Sequence, residues 1–167
     1  MTLATATPSG EPSARMVLLR GADERGFGFF TNYDSQKGRE LALNPRAALV
    51  LYWSTLGRQV RVMGQVVRQS QEESDAYFHQ RPIPSQISAA ISPQSQVVAN
   101  RHVLEQAAAA LADKLGGQPV PLPENWGGYR VLPQTIEFWV HRDNRLHDRL
   151  RYSRGPTGGW IIERLAP

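Results

Sequence analysis

No cysteine occurs anywhere in the 167 residues, which excludes disulfides, zinc–thiolate centres and cysteine nucleophiles. Long apolar runs are missing too. No stretch approaches the roughly 20 apolar residues that a membrane-spanning helix needs, and the chain does not open on a charged, apolar, small-residue leader. A soluble, cytoplasmic protein with no membrane partner is expected. Blocks of like charge are also absent: Lys and Arg number 19 against 15 Asp and Glu, for a net charge of +4, but the arginines are scattered. That makes a nucleic-acid partner a weak reading. There is no Gly-x-Gly-x-x-Gly, no βαβ rhythm and no internal repeat, so a parallel nucleotide-binding sheet is not expected. No metal site is indicated. The 41% hydrophobic content is enough for one ordinary domain, residues 1–167, with a real core.

The chain instead carries many short strands. Residues 2–7 alternate small and β-branched types, so a strand is expected from the start. Residues 16–19 and 27–31 are short apolar and aromatic runs separated by Gly21-Ala-Asp-Glu-Arg-Gly26, which reads as a hairpin. Residues 47–53 form a near-continuous apolar run, expected to be a strand buried on both faces. Residues 59–67 alternate as its partner, and Gly64 inside that strand marks a bulge or a close backbone approach. The Ser70-Gln-Glu-Glu73 capping box opens a helix to about Gln80, a short helix covers 85–91, and a third runs from Asn100 or Arg101 to Leu115. Residues 126–131 and 135–140 read as two strands, followed by a hairpin of 149–153 with 159–164. The pattern is a meandering antiparallel sheet closed into a small, Greek-key-like split β-barrel with helices outside it.

Three stretches carry candidate chemistry. In Thr31-Asn-Tyr-Asp-Ser-Gln-Lys-Gly38 a strand leads through a polar turn into a helix expected over 39–44. Helix-start amides, the Ser35 hydroxyl and the Lys37 ammonium suit an anion such as phosphate, and Arg15 on a neighbouring strand could close its other side. A plain helix cap flanked by solvated charges accounts for the same spacing. Tyr77, Arg81 and Ser85 recur at i, i+4 and i+8, and a helix continued through its proline break would present three phosphate donors on one side. A core tyrosine and a snorkelling arginine are the alternative. In Arg145-Leu-His-Asp-Arg149, period-2 spacing sends Arg145, His147 and Arg149 to one face and Asp148 to the other, where it is a poor candidate for orienting His147. A solvated edge strand explains those arginines equally well.

These stretches resemble the pyridoxine/pyridoxamine 5'-phosphate oxidase family. The family's R-x-V-L-L-K strand matches Arg15 to Arg20, its F-Y-T-N-x-x-S-x-K-G turn the segment through Gly38, its Y-F-x-x-R-P-x-x-S pattern Tyr77 to Ser85, and its R-L-H-D-R-x-x-Y motif Arg145 to Tyr152; the resemblance runs to the terminal W-x-I-x-R-L-A-P. It implies FMN held by Arg15, Met16, Val17, Leu18, Arg20, Phe30, Thr31, Ser35, Gln36, Lys37, Gln59, Gln94, Ser95, Trp139 and Arg149. It implies substrate contacts from Arg20, Tyr77, Arg81, Ser85, Arg145 and His147, the last two at the reacting ring. It further implies oxidation of phosphorylated B6 vitamers with dioxygen reduced to hydrogen peroxide, and a homodimer with FMN at the interface. The family's usual extra N-terminal segment is not in this sequence, so a shortened chain is expected. Three departures from the pattern stand out: Arg20 replaces Lys, Gln36 replaces Arg, and Ser88-Ala89-Ala90 replaces Gly-Ala-Trp. Weaker binding or a shifted substrate preference is expected from them. A related oxidase of a phenazine-type aromatic and a nonenzymatic basic binding module are the competing readings.

Overall fold

The computed structural model describes all 167 residues, as nine strands and four helices. In order these are β1 Thr2–Ala6, β2 Pro12–Met16, β3 Ala22–Asp23, β4 Gly26–Asn32, α1 Gln36–Leu43, β5 Arg46–Trp53, β6 Arg58–Arg68, α2 Gln71–Gln80, α3 Ile83–Ile91, α4 Arg101–Leu115, β7 Trp126–Val140, β8 Asp148–Arg154 and β9 Trp160–Arg164. The strands join one sheet in the order β2-β1-β5-β6-β7-β4-β3, with β8 added to β7 and β9 to β8. Pairing is antiparallel from β1 with β2 to β8 with β9. No helix is long and apolar enough to cross a membrane.

The chain divides into two compact units. The first comprises Met1–Phe29, Glu40–Val67 and Arg130–Pro167. Its buried residues include Leu3, Phe29, Leu49, Val62 and Val131, drawn from alternate positions of strands that each turn one face inward. The second comprises Phe30–Arg39 and Arg68–Tyr129. It is built on Phe78, Ile87, Val120 and Trp126, with Phe30, Tyr77 and Leu111 packed against them.

Several expectations hold. Ser70 and Glu73 form the reciprocal capping box of α2, Asn100 caps α4 by accepting from the Val103 amide, and β8 and β9 make the closing hairpin. Gly64 marks a close approach: a Cβ there would lie 1.9 Å from the Leu132 carbonyl oxygen.

Others are corrected. The strand expected at 16–19 ends at Met16, and the hairpin is instead the two-residue β3 against β4. Backbone bonds from Arg20 N to Gly28 O and from Gly28 N to Gly21 O, each 2.8 Å, carry the pairing outside the regular strand. Residues 126–140 form one strand rather than two, because the glycine at 64 leaves room for the Leu132–Pro133 backbone. Strand β5 is not buried on both faces; Ala47 and Leu49 are buried while Tyr52 is 60% exposed. Helix α1 starts three residues earlier than expected, at Gln36.

Candidate active site

In the second unit, the turn after β4 gathers polar side chains around a buried lysine at the start of α1. Ser35 is fully buried and caps that helix: its Oγ accepts from the Gly38 amide at 3.3 Å and donates to the Asn32 carbonyl at 2.6 Å. This corrects the expectation that its hydroxyl donates to an anion, since a hydroxyl has one proton and Asn32 takes it. A Cβ at residue 38 would sit 2.1 Å from the Tyr33 carbonyl oxygen, so the turn closes only with glycine there. The cap holds Lys37 in place. Its ammonium, in a residue only 8% exposed, donates to Thr31 Oγ1 and Ser35 Oγ at 3.1 Å each and to Gln94 Oε1 at 2.8 Å. These oxygens fix the position of the ammonium, and the N-terminal end of α1 adds to the positive field. The donor set fits a phosphate ester. Gln94 and Thr31 also hydrogen-bond each other at 3.2 Å, whereas Ser95, with φ of 70°, and Gln36 are exposed beside them.

The same unit carries the second set of candidate residues. Tyr77, Arg81 and Ser85 do not lie on one continuous helix: α2 stops at Gln80, Arg81 is extended, and α3 starts afresh after Pro82. The bend still gathers them. Tyr77 stacks on Phe30 with centroids 4.0 Å apart, so Phe30 serves as its backing. Arg81 lies 4.9 Å over the Trp126 ring and donates through Nη2 to the Ser85 carbonyl at 2.8 Å. An arginine held over an indole face and tied to a carbonyl keeps its planar fork in a restricted attitude. Trp126 escaped the sequence reading because an aromatic that begins a strand reads as core.

In the first unit, Gln59 and Trp139 line a hollow of about 270 Å³ together with Trp53, Leu56, Arg58 and Phe138. Its aromatic walls suit a flat ring system. Beside it, His147 is flanked by Trp139 at 4.7 Å and His141 at 5.1 Å, centroid to centroid. Arg145, His147 and Arg149 do not share the face of an extended strand. Residues 143–145 form a tight helical turn with Asn144 at φ 55° and Arg145 at φ 61°, and β8 begins only at Asp148. Two successive non-glycine residues in the left-handed region are a costly conformation held by its surroundings. Asp148, clasped by Arg142 at 2.7 Å and Arg164 at 2.6 Å, has its carboxyl held below the usual aspartate range by those two hydrogen bonds.

Two arginines are turned to protein partners rather than to an open anion site. Arg149 grips Glu137 with Nε at 2.9 Å and Nη2 at 3.1 Å and donates to the Ala166 carbonyl at 2.9 Å. Arg15 donates to Thr5 and Ser13 and pairs with Glu40 at 3.4 Å. Buried carboxylates recruit both guanidinium groups, since an unpaired charge there is strongly unfavourable. Glu137, inside the run Thr135 to Val140, was the one signal in the sequence for this pairing. Met16 and Leu18 are largely exposed, Val17 is half-buried, and Arg20 is exposed with its amide donating to Gly28.

The hydrogen bond from Arg149 pulls the Glu137 carboxyl below the ordinary glutamate value. A depressed carboxyl stabilises the fold above its unfolded value of about 4.3, and that contribution is lost as pH falls through the folded value. Wild type should therefore exceed Glu137→Gln in stability at neutral pH, with the gap closing below about pH 4. Urea unfolding of both proteins across that range checks it; a gap independent of pH would remove the ion pair from the account.

Comparison with known proteins places these features. Residues 1–114 match the family model described as pyridoxamine 5'-phosphate oxidase, and residues 126–167 match the pyridoxine 5'-phosphate oxidase C-terminal dimerisation region. The chain is 59% identical to a pyridoxine/pyridoxamine 5'-phosphate oxidase of Gloeothece citriformis and 58% identical to one of Ralstonia nicotianae, in each case over all of this chain and 78% of the relative. Among solved structures, PhzG from Burkholderia lata, in complex with tetrahydrophenazine-1-carboxylic acid, superposes with a TM-score of 0.94 at 37% identity, over 99% of this chain and 81% of that one. An FMN-binding protein related to pyridoxamine 5'-phosphate oxidase, from Nostoc punctiforme, shares the fold at a TM-score of 0.80 and 19% identity. The split β-barrel class expected from the sequence is thereby borne out. With a family model spanning more than half of its residues and relatives 58% and 59% identical over its whole length, the chain belongs to the pyridoxine/pyridoxamine 5'-phosphate oxidase family.

Proposed function

We propose that this chain is an FMN-dependent oxidase that converts pyridoxamine 5'-phosphate and pyridoxine 5'-phosphate to pyridoxal 5'-phosphate, with dioxygen as the acceptor and hydrogen peroxide as the product. The observation that carries the reading is the pair of phosphate-type donor sets in a chain 59% identical to an oxidase of that name. FMN, when bound, supplies the hydride acceptor and the reaction with dioxygen.

Lys37, with Thr31 and Gln94 orienting it, holds the flavin phosphate, and Ser35 fixes the helix start that presents Lys37. The Gln59 and Trp139 walls take the ring system. Arg15 to Leu18, Arg20, Phe30, Gln36, Ser95 and Arg149 complete the flavin site, with Phe30 acting through Tyr77, Arg15 holding its strand to Glu40, and Arg149 holding β8 to Glu137. Tyr77, Arg81 and Ser85 grip the substrate's 5'-phosphate, with Arg20 as a further cation. Arg145 and His147 orient the pyridine ring. Binding energy at the remote phosphate thus sets the attitude of the reacting carbon.

The match to the dimerisation region and the exposed apolar residues Tyr52, Leu56, Leu146 and Ile162 support a homodimer with flavin at its interface.

The visible spectrum is the direct test. Anaerobic addition of pyridoxamine 5'-phosphate to the yellow holoprotein should bleach it, and air should restore the colour with release of hydrogen peroxide. A spectrum unchanged by either phosphorylated vitamer would defeat the proposal. The likeness to PhzG favours a second reading, oxidation of a phenazine precursor. Bleaching by a reduced phenazine carboxylate but not by the vitamers would favour it.

A further inference from the structure

We propose that Asp148 is a positioning residue that locks His147 in a single tautomer, making it a hydrogen-bond donor to the substrate rather than the group that takes a proton from it. Three observations converge. The Asp148 carboxylate receives Arg142 Nε on Oδ2 at 2.7 Å and Arg164 Nη1 on Oδ1 at 2.6 Å, tying both ends of the 142–148 loop to β9. Within that closure the Arg142 amide donates to His147 Nδ1 at 3.1 Å. The loop also contains the two left-handed residues Asn144 and Arg145, a backbone that needs external restraint.

The chemical consequence follows from proton counting. A ring nitrogen that accepts from an amide carries no proton, so neutral His147 has its only hydrogen on Nε2. In that state Nε2 donates and has no lone pair to offer, while the lone pair on Nδ1 is occupied by Arg142. Neutral His147 therefore serves an acceptor atom on the substrate, of which the pyridine-ring phenolate is the fitting class. Trp139 and His141 both pack against the imidazole, with centroids 4.7 and 5.1 Å away. Asp148 never touches His147. It acts through the Arg142 main chain, a connection that alternation along a strand does not reveal.

The catalytic part of this inference rests on the oxidase reading, whereas the tautomer does not, so the two are separable. In holoprotein labelled with nitrogen-15 histidine, the long-range proton–nitrogen pattern of His147, assigned by its loss in His147→Gln, should be that of the Nε2–H form in mildly alkaline buffer. In Asp148→Asn it should become an average of both tautomers. For that variant kcat should fall roughly tenfold, with KM for pyridoxamine 5'-phosphate changing much less, because the phosphate donors are untouched. Asp148→Glu, which keeps the carboxylate, should recover part of both effects. A wild-type Nδ1–H pattern would overturn the proposal, as would Asp148→Asn protein in which either the tautomer or kcat is unchanged. Wild-type protein with the Nε2–H pattern but no turnover of either vitamer would sink the substrate assignment and uphold the clamp.

Discussion

Lys37→Met protein should purify with little bound flavin and bind added FMN roughly 30- to 150-fold more weakly than wild type, the loss expected when a charge-assisted hydrogen bond of about 2–3 kcal/mol is removed. Methionine nearly matches the lysine stem in volume, and residue 37 is buried, so the packing around it survives. Ser35 keeps its cap on Gly38 whatever occupies position 37, so α1 should remain formed. Titration of apoprotein, followed by quenching of flavin fluorescence, gives the affinity. The wild-type value should weaken with salt more steeply than that of the variant. Equal affinities would remove Lys37 from the phosphate site and leave its hydrogen bonds to Thr31, Ser35 and Gln94 as a purely structural knot.

Arg81→Ala should lower kcat/KM for pyridoxamine 5'-phosphate by about 10²-fold, mostly through KM, with flavin content unchanged. The guanidinium is already aligned by the Trp126 face and by the Ser85 carbonyl, so a bidentate grip on phosphate requires little further ordering. Arg81→Lys keeps the charge and loses the fork, and should fall between the two. Melting curves of both variants separate a substrate effect from damage to the packing around Phe78 and Trp126. If Arg81→Ala turns over the phosphorylated vitamers as wild type does, the 5'-phosphate is held elsewhere. A reduced phenazine carboxylate, which carries no phosphate, should be indifferent to the change, so the same variant discriminates the two substrate readings.

Local chemistry was well written in the sequence. The capping box at Ser70 and Glu73, the Asn100 cap and the β8–β9 hairpin all formed where residue types within a few positions of one another dictated them. Gly64 was correctly marked as a close approach, although its partner, the Leu132 carbonyl, could not be named from one strand alone. The strands expected at 126–131 and 135–140 are one, because the partner glycine leaves room for Pro133 and β7 continues through it. The left-handed pair Asn144 and Arg145 had only a faint signal, the tolerance of Asn for that region. Reading Arg145 to Arg149 as extended therefore misassigned which side chains share a face.

What the amino-acid sequence determined by itself was the inventory: strand periodicity, helix starts, the cationic and hydroxylic residues of two phosphate-type donor sets, and the motifs that resemble one family. The pairing of charges was decided by tertiary structure alone. Arg15 meets Glu40, Arg149 meets Glu137, and Asp148 meets both Arg142 and Arg164. The reason is physical. A side chain's local spacing governs neighbours three or four residues away on a helix or two away on a strand, whereas an ion pair is chosen by which carboxylate the folded sheet brings within reach. Which arginines remain to face a ligand is settled only after those carboxylates have been served.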